Sequence, residues 1–423
     1  MSRLQPRTRL GVVLAAVVLV LAGAVYLLFL RGADEGPVSE AGSRFGSEEA
    51  RGGGGTLLDT LAPVLGAGQS GSRRGGSDPA PPSEDELGRS PGDAVAGLFL
   101  VGFAGKATSS SFFGRLGARP YGGVVLTRTN YTEPSQLSAL AAKIQRTARE
   151  AGHPAPLVAA RQEGGEFSAF PNLAPDPQVD VGRRKPPVIQ KSANAAGQQL
   201  KALGIGLNLA PFADIAVVGG PGQGRSFADT PARVTSAVKA AVAGYRDAGV
   251  VAAVGPFPGD GGASQDPSIG PAPVGLGIDD LRDADMAPFA AVAKGAGATA
   301  AIQMSNAIYL AFDAVTPATL LSDAVKELRE RLGFTGAIVS ADLVASTATT
   351  GRGVGEAAVD ALNAGVDLLL VPGGRAQQDE AYRAVVAAVR NGDIPTSRIV
   401  SALKRIAELR RATRDTREPL RPQ

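Results

Sequence analysis

No cysteine occurs anywhere in the 423 residues, and tryptophan is absent as well. The missing thiols exclude disulfides, thiolate zinc sites and a lipid-modified cysteine anchor. Histidine occurs once, at His153. Imidazole-based metal sites and a Ser-His-Asp triad each need well-placed histidines, so neither is expected. His153 lies in Gly152-His153-Pro154, a loop signal, and reads as a solvated loop residue. An excess of charge of either sign is also lacking, with 43 Lys and Arg against 40 Asp and Glu. The net charge is +3, and the basic pI near 9.2 is not backed by a dense Lys/Arg cluster. Nucleic acid is therefore not expected as a partner. No metal or other cofactor is expected.

What is present begins with an apolar run. Leu10 to Leu30 contains no charged residue. About 20 apolar residues suffice to span the hydrocarbon of a bilayer as a helix. Arg3, Arg7 and Arg9 precede the run, and Asp34 and Glu35 follow Arg31. The positive-inside rule places residues 1–9 in the cytoplasm and the bulk of the chain on the other side of the membrane. A cleaved signal peptide is the rival reading. It is disfavoured because Ala22-Gly23-Ala24 lies inside the apolar run and not after it.

Residues 31–92 read as a disordered tether, rich in Gly, Ser, Pro and charge, as in Gly52–Gly55 and Pro79-Ala80-Pro81-Pro82. Such composition buries too little apolar surface to offset chain entropy. The apolar residues from Leu57 to Leu65 read as part of it.

From about Ala94 short apolar runs alternate with Ala-rich stretches of helical period. Strands are predicted at Val95–Phe103, Gly123–Thr127, Leu157–Ala160, Gly206–Pro211, Val250–Val254, Ala300–Met304, Ala337–Ser340 and Leu368–Val371. Helices are predicted at 134–150, 188–203, 230–248, 279–295, 318–332, 354–364, 377–391 and 395–412. Strands that alternate with helices argue for parallel βα units. The fold class is therefore α/β, with an eight-fold (β/α) barrel over 93–413 and a tail at 414–423. A doubly wound open sheet is the alternative. Gly353-Val354-Gly355 and Gly219-Gly220-Pro221-Gly222 lack the strand–turn–helix setting of a dinucleotide fingerprint and read as loops.

Six segments at predicted strand ends resemble the N-terminal domain of glycoside hydrolase family 3, in its β-N-acetylhexosaminidase branch. They are Gly122–Leu126 with Asn130-Tyr131; Gln162–Gly165; Gly206–Pro211 with Asp214 and Arg225-Ser226-Phe227; Phe257-Pro258-Gly259; Leu332–Gly336 through Ser340 with Asp342-Leu343; and Ala361–Asp367. They occur in the family's order over about 95–390.

The resemblance implies retaining glycoside hydrolysis, which needs a carboxylate nucleophile and a proton donor. It also implies that both are replaced. The nucleophile position falls on Ala341, in Ser340-Ala341-Asp342-Leu343, and the acid/base position on Ser268. A serine hydroxyl is too weak an acid to protonate a leaving oxygen near neutral pH. Sugar-contacting positions fall on Arg161, Gly255-Pro256, Ala169 and Asn306, and the charges at Arg161 and Glu166 are reversed relative to the family. No residue is assigned a catalytic role; Asp342 and Asp266 are the candidate substitutes. Asp342 follows Ala341 directly, and strand neighbours point to opposite faces, so a turn would be needed to bring it to a sugar. Arg225 and Glu163 are the candidate substrate-binding residues, each with a structural alternative: loop anchor for Arg225, turn support for Glu163. Asp214 reads as a loop pin, and Asp260 and Asp266 as solvated loop carboxylates. Pro256 and Pro258 would stiffen their loop.

These readings converge on a membrane-tethered, non-catalytic barrel that binds cell-wall glycan or another N-acetylglucosamine-containing ligand outside the cytoplasmic membrane. An active β-N-acetylglucosaminidase and a protein-interaction platform are the alternatives; no protein partner is named by the sequence.

Overall fold

Short aliphatic runs form the strands, and each strand sits one crossover from the next. The computed structural model describes residues 87–295 and 300–413. The apolar run Leu10–Leu30, the expected tether up to residue 86 and the tail 414–423 lie outside the described residues. Among the described residues no helix is long and apolar enough to cross a membrane.

The strands are β1 (Phe99–Val101), β2 (Gly123–Leu126), β3 (Leu157–Ala160), β4 (Leu207–Asn208), β5 (Val251–Phe257), β6 (Pro273–Val274), β7 (Ala301–Met304), β8 (Ile308–Tyr309), β9 (Ala337–Val339) and β10 (Leu369–Val371). Eight of them pair in parallel in the order β10-β1-β2-β3-β4-β5-β7-β9. A parallel bridge between Val339 and Leu368 joins the two ends of that order. The result is an all but closed parallel barrel, and the open doubly wound sheet is excluded. The remaining pair, β6 with β8, ties the loop after β5 to the loop after β7.

Parallel strands need crossovers, and the amphipathic helices supply them. In Pro134–Glu150 the buried residues Leu137, Leu140, Ala141, Ile144 and Ala148 recur at helical spacing. Pro134, Pro186 and Pro231 open their helices, where the missing N–H costs nothing. Gly244 lets Pro231–Asp247 approach Pro186–Ala202: a Cβ there would lie 2.3 Å from the Gln190 carbonyl oxygen.

Three predicted elements differ from the structure. Val95 and Ala96 are helical, because Pro91–Ala96 forms a helix whose N-cap Ser90 accepts from the Asp93 N–H at 3.1 Å. Leu87 is also buried, so packing begins ahead of residue 93. The helix expected over 279–295 breaks into Ile278–Asp283 and Ala287–Gly295, and that over 318–332 into a 3-10 turn, a short α-helix and a π turn. Leu343–Thr350 is a helix where none was predicted.

At the amino-terminal end of β9, Asp367 is fully buried and meets three arginines. Arg329 lies at 2.6 Å, and Arg398 and Arg405 each at 3.1 Å. Its Oδ2 also accepts from the Ile338 N–H at 3.0 Å, which links the helical shell to the first residues of the strand pair. Burial lowers the Arg329 pKa to about 10, against the pull of Asp367.

Candidate active site

The carboxyl ends of the strands open into a cleft of about 660 Å³. Active sites of (β/α) barrels lie at this end. The loops after β3, β4, β5, β7 and β9 build the walls.

The loop after β3 supplies Arg161 and Glu163. Gln162 fixes it from within: its N–H donates to Asn208 Oδ1 at 2.9 Å, and Asn208 Nδ2 donates back to its carbonyl at 3.0 Å. Gly164 turns the chain at φ +112°, where a Cβ would sit 2.2 Å from the Asp176 carbonyl oxygen. Glu163 is thereby directed at Arg225. The guanidinium donates from Nε to Oε2 at 2.6 Å and from Nη2 to Oε1 at 2.5 Å. It also stacks 3.7 Å above the Phe212 ring. Burial opposes the charge of Arg225, and the Glu163 carboxylate outweighs it, leaving the pKa raised. Both candidate binding residues do line the cleft, but they are bonded to each other.

Arg161 sits differently. Its Nη2 donates to Gln303 Oε1 at 3.2 Å, while Nη1 stays 3.7 Å from Glu163 Oε1. Although 43% of its side chain meets solvent, the concave wall around it desolvates the guanidinium and lowers its pKa. Glu163, Asp342 and Asp266 oppose that shift.

At the end of β9 the strand stops at Val339, short of the expected Ser340. The chain then turns, so Ala341 and Asp342 both line the cleft. The alternation that would have turned Asp342 away from a sugar does not apply. Asp342 is nevertheless committed: it is the N-cap of Leu343–Thr350, and its Oδ1 accepts from Val344 N at 2.8 Å and Ala345 N at 3.2 Å. Burial raises its pKa, against those two bonds and Arg161. Ala341 presents only a methyl group, and its N–H is held by Thr319 Oγ1 at 3.0 Å. Asn306 reaches the same corner, donating to the Asp342 carbonyl at 2.9 Å.

The loop after β5 carries Asp260, Asp266 and Ser268. Asp266 is exposed, and its Oδ1 accepts from Ser268 N at 2.8 Å, a local turn. Ser268 is exposed at the cleft wall. Asp260 corrects the sequence reading, since it is 6% exposed and not solvated. Its Oδ1 accepts from Ser305 Oγ and from Tyr309 OH, the latter at 2.9 Å. Its backbone N–H donates to Asp214 Oδ1 at 2.9 Å, so Asp214 pins this loop from the loop after β4. Burial pushes the Asp260 pKa up to about 6, and burial with the nearby Asp260 raises Asp214 well above the carboxylate range. Asp214 Oδ2 has no partner among the described residues, which suits a neutral carboxyl better than an anion. Asp285 lies behind Gly259 and Gly261, with its pKa raised by burial to about 6.

His153 is not a solvated loop residue either: it is half-buried and its Nε2 meets the Gly117 carbonyl at 2.9 Å. It does not reach the cleft. Among the described residues no His, Cys, Asp or Glu group is arranged to hold a metal ion. Phe212, Gln303 and Asp285 were not singled out by sequence. Phe212 and Asp285 adjoin segments that were, two residues from Asp214 and behind the Gly259–Gly261 loop.

Residues 113–409 match the glycosyl hydrolase family 3 N-terminal domain. An uncharacterized secreted glycosyl hydrolase of Arthroderma benhamiae is 32% identical over 304 residues, which is 68% of this chain and 84% of that protein. A beta-hexosaminidase of Methylococcus capsulatus is 30% identical over 281 residues, 64% of this chain and 80% of that protein. Among solved structures, a glycoside hydrolase family 3 beta-N-acetylglucosaminidase from Paenibacillus sp. superposes with a TM-score of 0.73 at 31% identity. The match covers 78% of this chain and 65% of that one. A beta-N-acetylhexosaminidase from Beutenbergia cavernae gives 0.69 at 27% identity, covering 75% and 97%.

Proposed function

Because the chain belongs to glycoside hydrolase family 3, we propose that its cleft binds β-linked N-acetylglucosaminyl groups of a glycan without cleaving them by the two-carboxylate route. One observation carries this reading. The strand-β9 corner, where the resemblance implies a nucleophile, offers the methyl group of Ala341, and its neighbour Asp342 is taken up in capping a helix. A methyl group can neither attack an anomeric carbon nor stabilise an oxocarbenium ion. The resemblance-implied acid/base position holds the Ser268 hydroxyl. Double displacement needs two carboxyl groups about 5–5.5 Å apart, or a comparable donor with a nucleophile.

The charge-free run Leu10–Leu30 behind Arg3, Arg7 and Arg9 supports the rest of the proposal. Residues 1–9 would be cytoplasmic, 10–30 the membrane anchor and 31 onward a tether. The barrel would then work at cell-wall glycan, on the extracytoplasmic side of the cytoplasmic membrane.

Kinship favours a second reading. The beta-hexosaminidase and beta-N-acetylglucosaminidase matches are named as hydrolases, and Asp342 and Asp260 reach the cleft with raised pKa values. On that reading displaced carboxyls hydrolyse β-N-acetylglucosaminides. The two are separated by incubating the purified full chain with an aryl N-acetyl-β-glucosaminide from pH 4 to 9. No release of aryl alcohol, with N-acetylglucosamine still raising the melting temperature, is the result expected of a binder. Release abolished by Asp342→Asn or Asp260→Asn establishes the hydrolase.

A further inference from the structure

Arg161 is the cation of the cleft whose hydrogen-bonding capacity is least used. A guanidinium carries five N–H donors in a rigid fork. Among the described residues one hydrogen bond engages it, to the neutral amide oxygen of Gln303 at 3.2 Å. The adjacent anion, Glu163, makes only a long ion pair with it. Both of its oxygens are bonded by Arg225, and Oε1 stands 3.7 Å from Arg161, beyond hydrogen-bond length.

Two further carboxylates act on Arg161 through space, Asp342 and Asp266. Neither is hydrogen-bonded to it. Asp342 Oδ1 accepts two backbone N–H groups at the start of a helix, and Asp266 Oδ1 accepts the Ser268 N–H. Arg161 therefore stands 43% exposed in the cleft wall, with Nε and Nη1 hydrogen-bonded to no acceptor among the described residues. The lining of the cleft is mixed: Leu209, Met304, Ala341 and Pro256 are apolar, and Asp260, Asp266 and Asp342 add carboxyls against which Arg161 and Arg225 are the cations. A planar two-oxygen anion is the group a guanidinium fork recognises best.

We propose that Arg161 makes the cleft selective for a sugar that carries a carboxylate, of the uronic acid class, over the corresponding neutral sugar. This rests on the reading that the cleft binds N-acetylglucosaminyl groups, and names which of them it prefers. The Gln303 amide orients the guanidinium through Nη2, leaving Nε and Nη1 for the ligand. Arg225, held by Glu163 and stacked on Phe212, supplies a second positive centre nearby without competing for the carboxylate.

Calorimetric titration of the full chain tests this with two probes that differ only at C6. They are methyl N-acetyl-β-glucosaminide and its 6-uronic acid. The acid is expected to bind about tenfold more tightly at low salt, roughly one charge-assisted hydrogen bond. The preference should shrink as salt screens the pair, since Arg161 is part-exposed. Arg161→Gln should abolish the preference. Arg161→Lys should keep part of it, because charge remains but the fork is lost. Equal binding of the two probes by the unmodified chain overturns the inference and leaves the glycan-binding reading intact. So does a preference that survives Arg161→Gln with an unchanged melting temperature. Failure of both probes to bind overturns both.

Discussion

The backbone N–H of Asp260 donates to Oδ1 of Asp214 at 2.9 Å, so the buried carboxyl of one barrel loop fastens the backbone of the neighbouring loop that carries a second. Asp285 adds a third behind the same loop. Asp260 and Asp285 are each raised to about 6, and Asp214 further, with burial the leading cause for all three. The sign of the pH dependence follows. The native state holds protons that the unfolded chain has released above pH ~4. Stability is therefore greatest at or below the unfolded value, and is lost as pH rises from about 4 through about 6. For Asp260 and Asp285 the rise to about 6 corresponds to roughly 3 kcal/mol each. Urea unfolding at pH 5 and pH 7.5 should show a higher midpoint at pH 5. Asp260→Asn and Asp285→Asn should each flatten the difference. A midpoint that rises with pH in the unmodified chain, and is unaltered by either substitution, would contradict the assignment.

Asp342 invites a sharper separation of roles. Its carboxylate caps Leu343–Thr350 through Val344 and Ala345. Asparagine is as good an N-cap as aspartate, and alanine is not. Asp342→Ala should cost about 1 kcal/mol of stability, and Asp342→Asn close to none. If the residue serves only as a cap, the affinity for methyl N-acetyl-β-glucosaminide stays unchanged in the asparagine variant. A hydrolase that uses Asp342 would lose turnover in both variants alike. Parallel denaturation curves and aryl glycoside assays on the pair read out the distinction.

The barrel was legible in the sequence because its signals are local. Leu157–Ala160 and Val354–Ala364 form where predicted, the first as β3 and the second between its Gly353 and Gly365 caps. Other features were missed, some from an overlooked local cap and some set by tertiary contact. Val95 reads as strand from its neighbours, but Ser90 and Pro91 start a helix that carries it. The corner at Ala341 and Asp342 depended on where β9 ends, and one residue of strand decides which way a side chain points. Burial of Asp260 was not legible either. Gly259-Asp260-Gly261 has the composition of a solvated loop, and only Tyr309 and Ser305, some 45 residues on, enclose it. Nor does chain order announce that Glu163 and Arg225, 62 positions apart, are one bonded unit.

Asp367 is expected to be the least tolerant charged position of the shell. It is completely buried and holds Arg329, Arg398 and Arg405 together. Removing one partner of a buried ion pair leaves charge without compensation, typically costing about 3–5 kcal/mol. Asp367→Ala leaves three guanidiniums without their carboxylate, Arg329 and Arg398 keeping backbone carbonyl acceptors, and removes the acceptor of the Ile338 N–H. Its midpoint in urea should fall further than that of Arg405→Ala, whose removal leaves Asp367 with two arginines. Equal losses for the two would show that Asp367 is not the hub.

Glu163 and Arg225 form a bidentate ion pair in the cleft, so their contribution is best measured as a coupling. The pair is bidentate, 3% and 15% exposed, and roofed by the Phe212 ring. Glu163→Gln keeps the shape and removes the charge. Arg225 would then remain buried beside Phe212 with a weaker acceptor, at a cost of about 2 kcal/mol. Arg225→Lys cannot reproduce either the two parallel bonds or the stacking, and should lose a similar amount. Because both substitutions break the same contact, the double variant should be less destabilised than the sum of the two by at least about 1 kcal/mol. Additivity would mean that each residue is held by its other neighbours and that the bonds between them contribute little. The coupling also has a functional reading. If Glu163 holds Arg225 in place for a ligand, Glu163→Gln weakens binding of methyl N-acetyl-β-glucosaminide by the same factor as Arg225→Lys. If the pair only fixes the loops after β3 and β4, the melting temperature falls in both variants and the affinity does not.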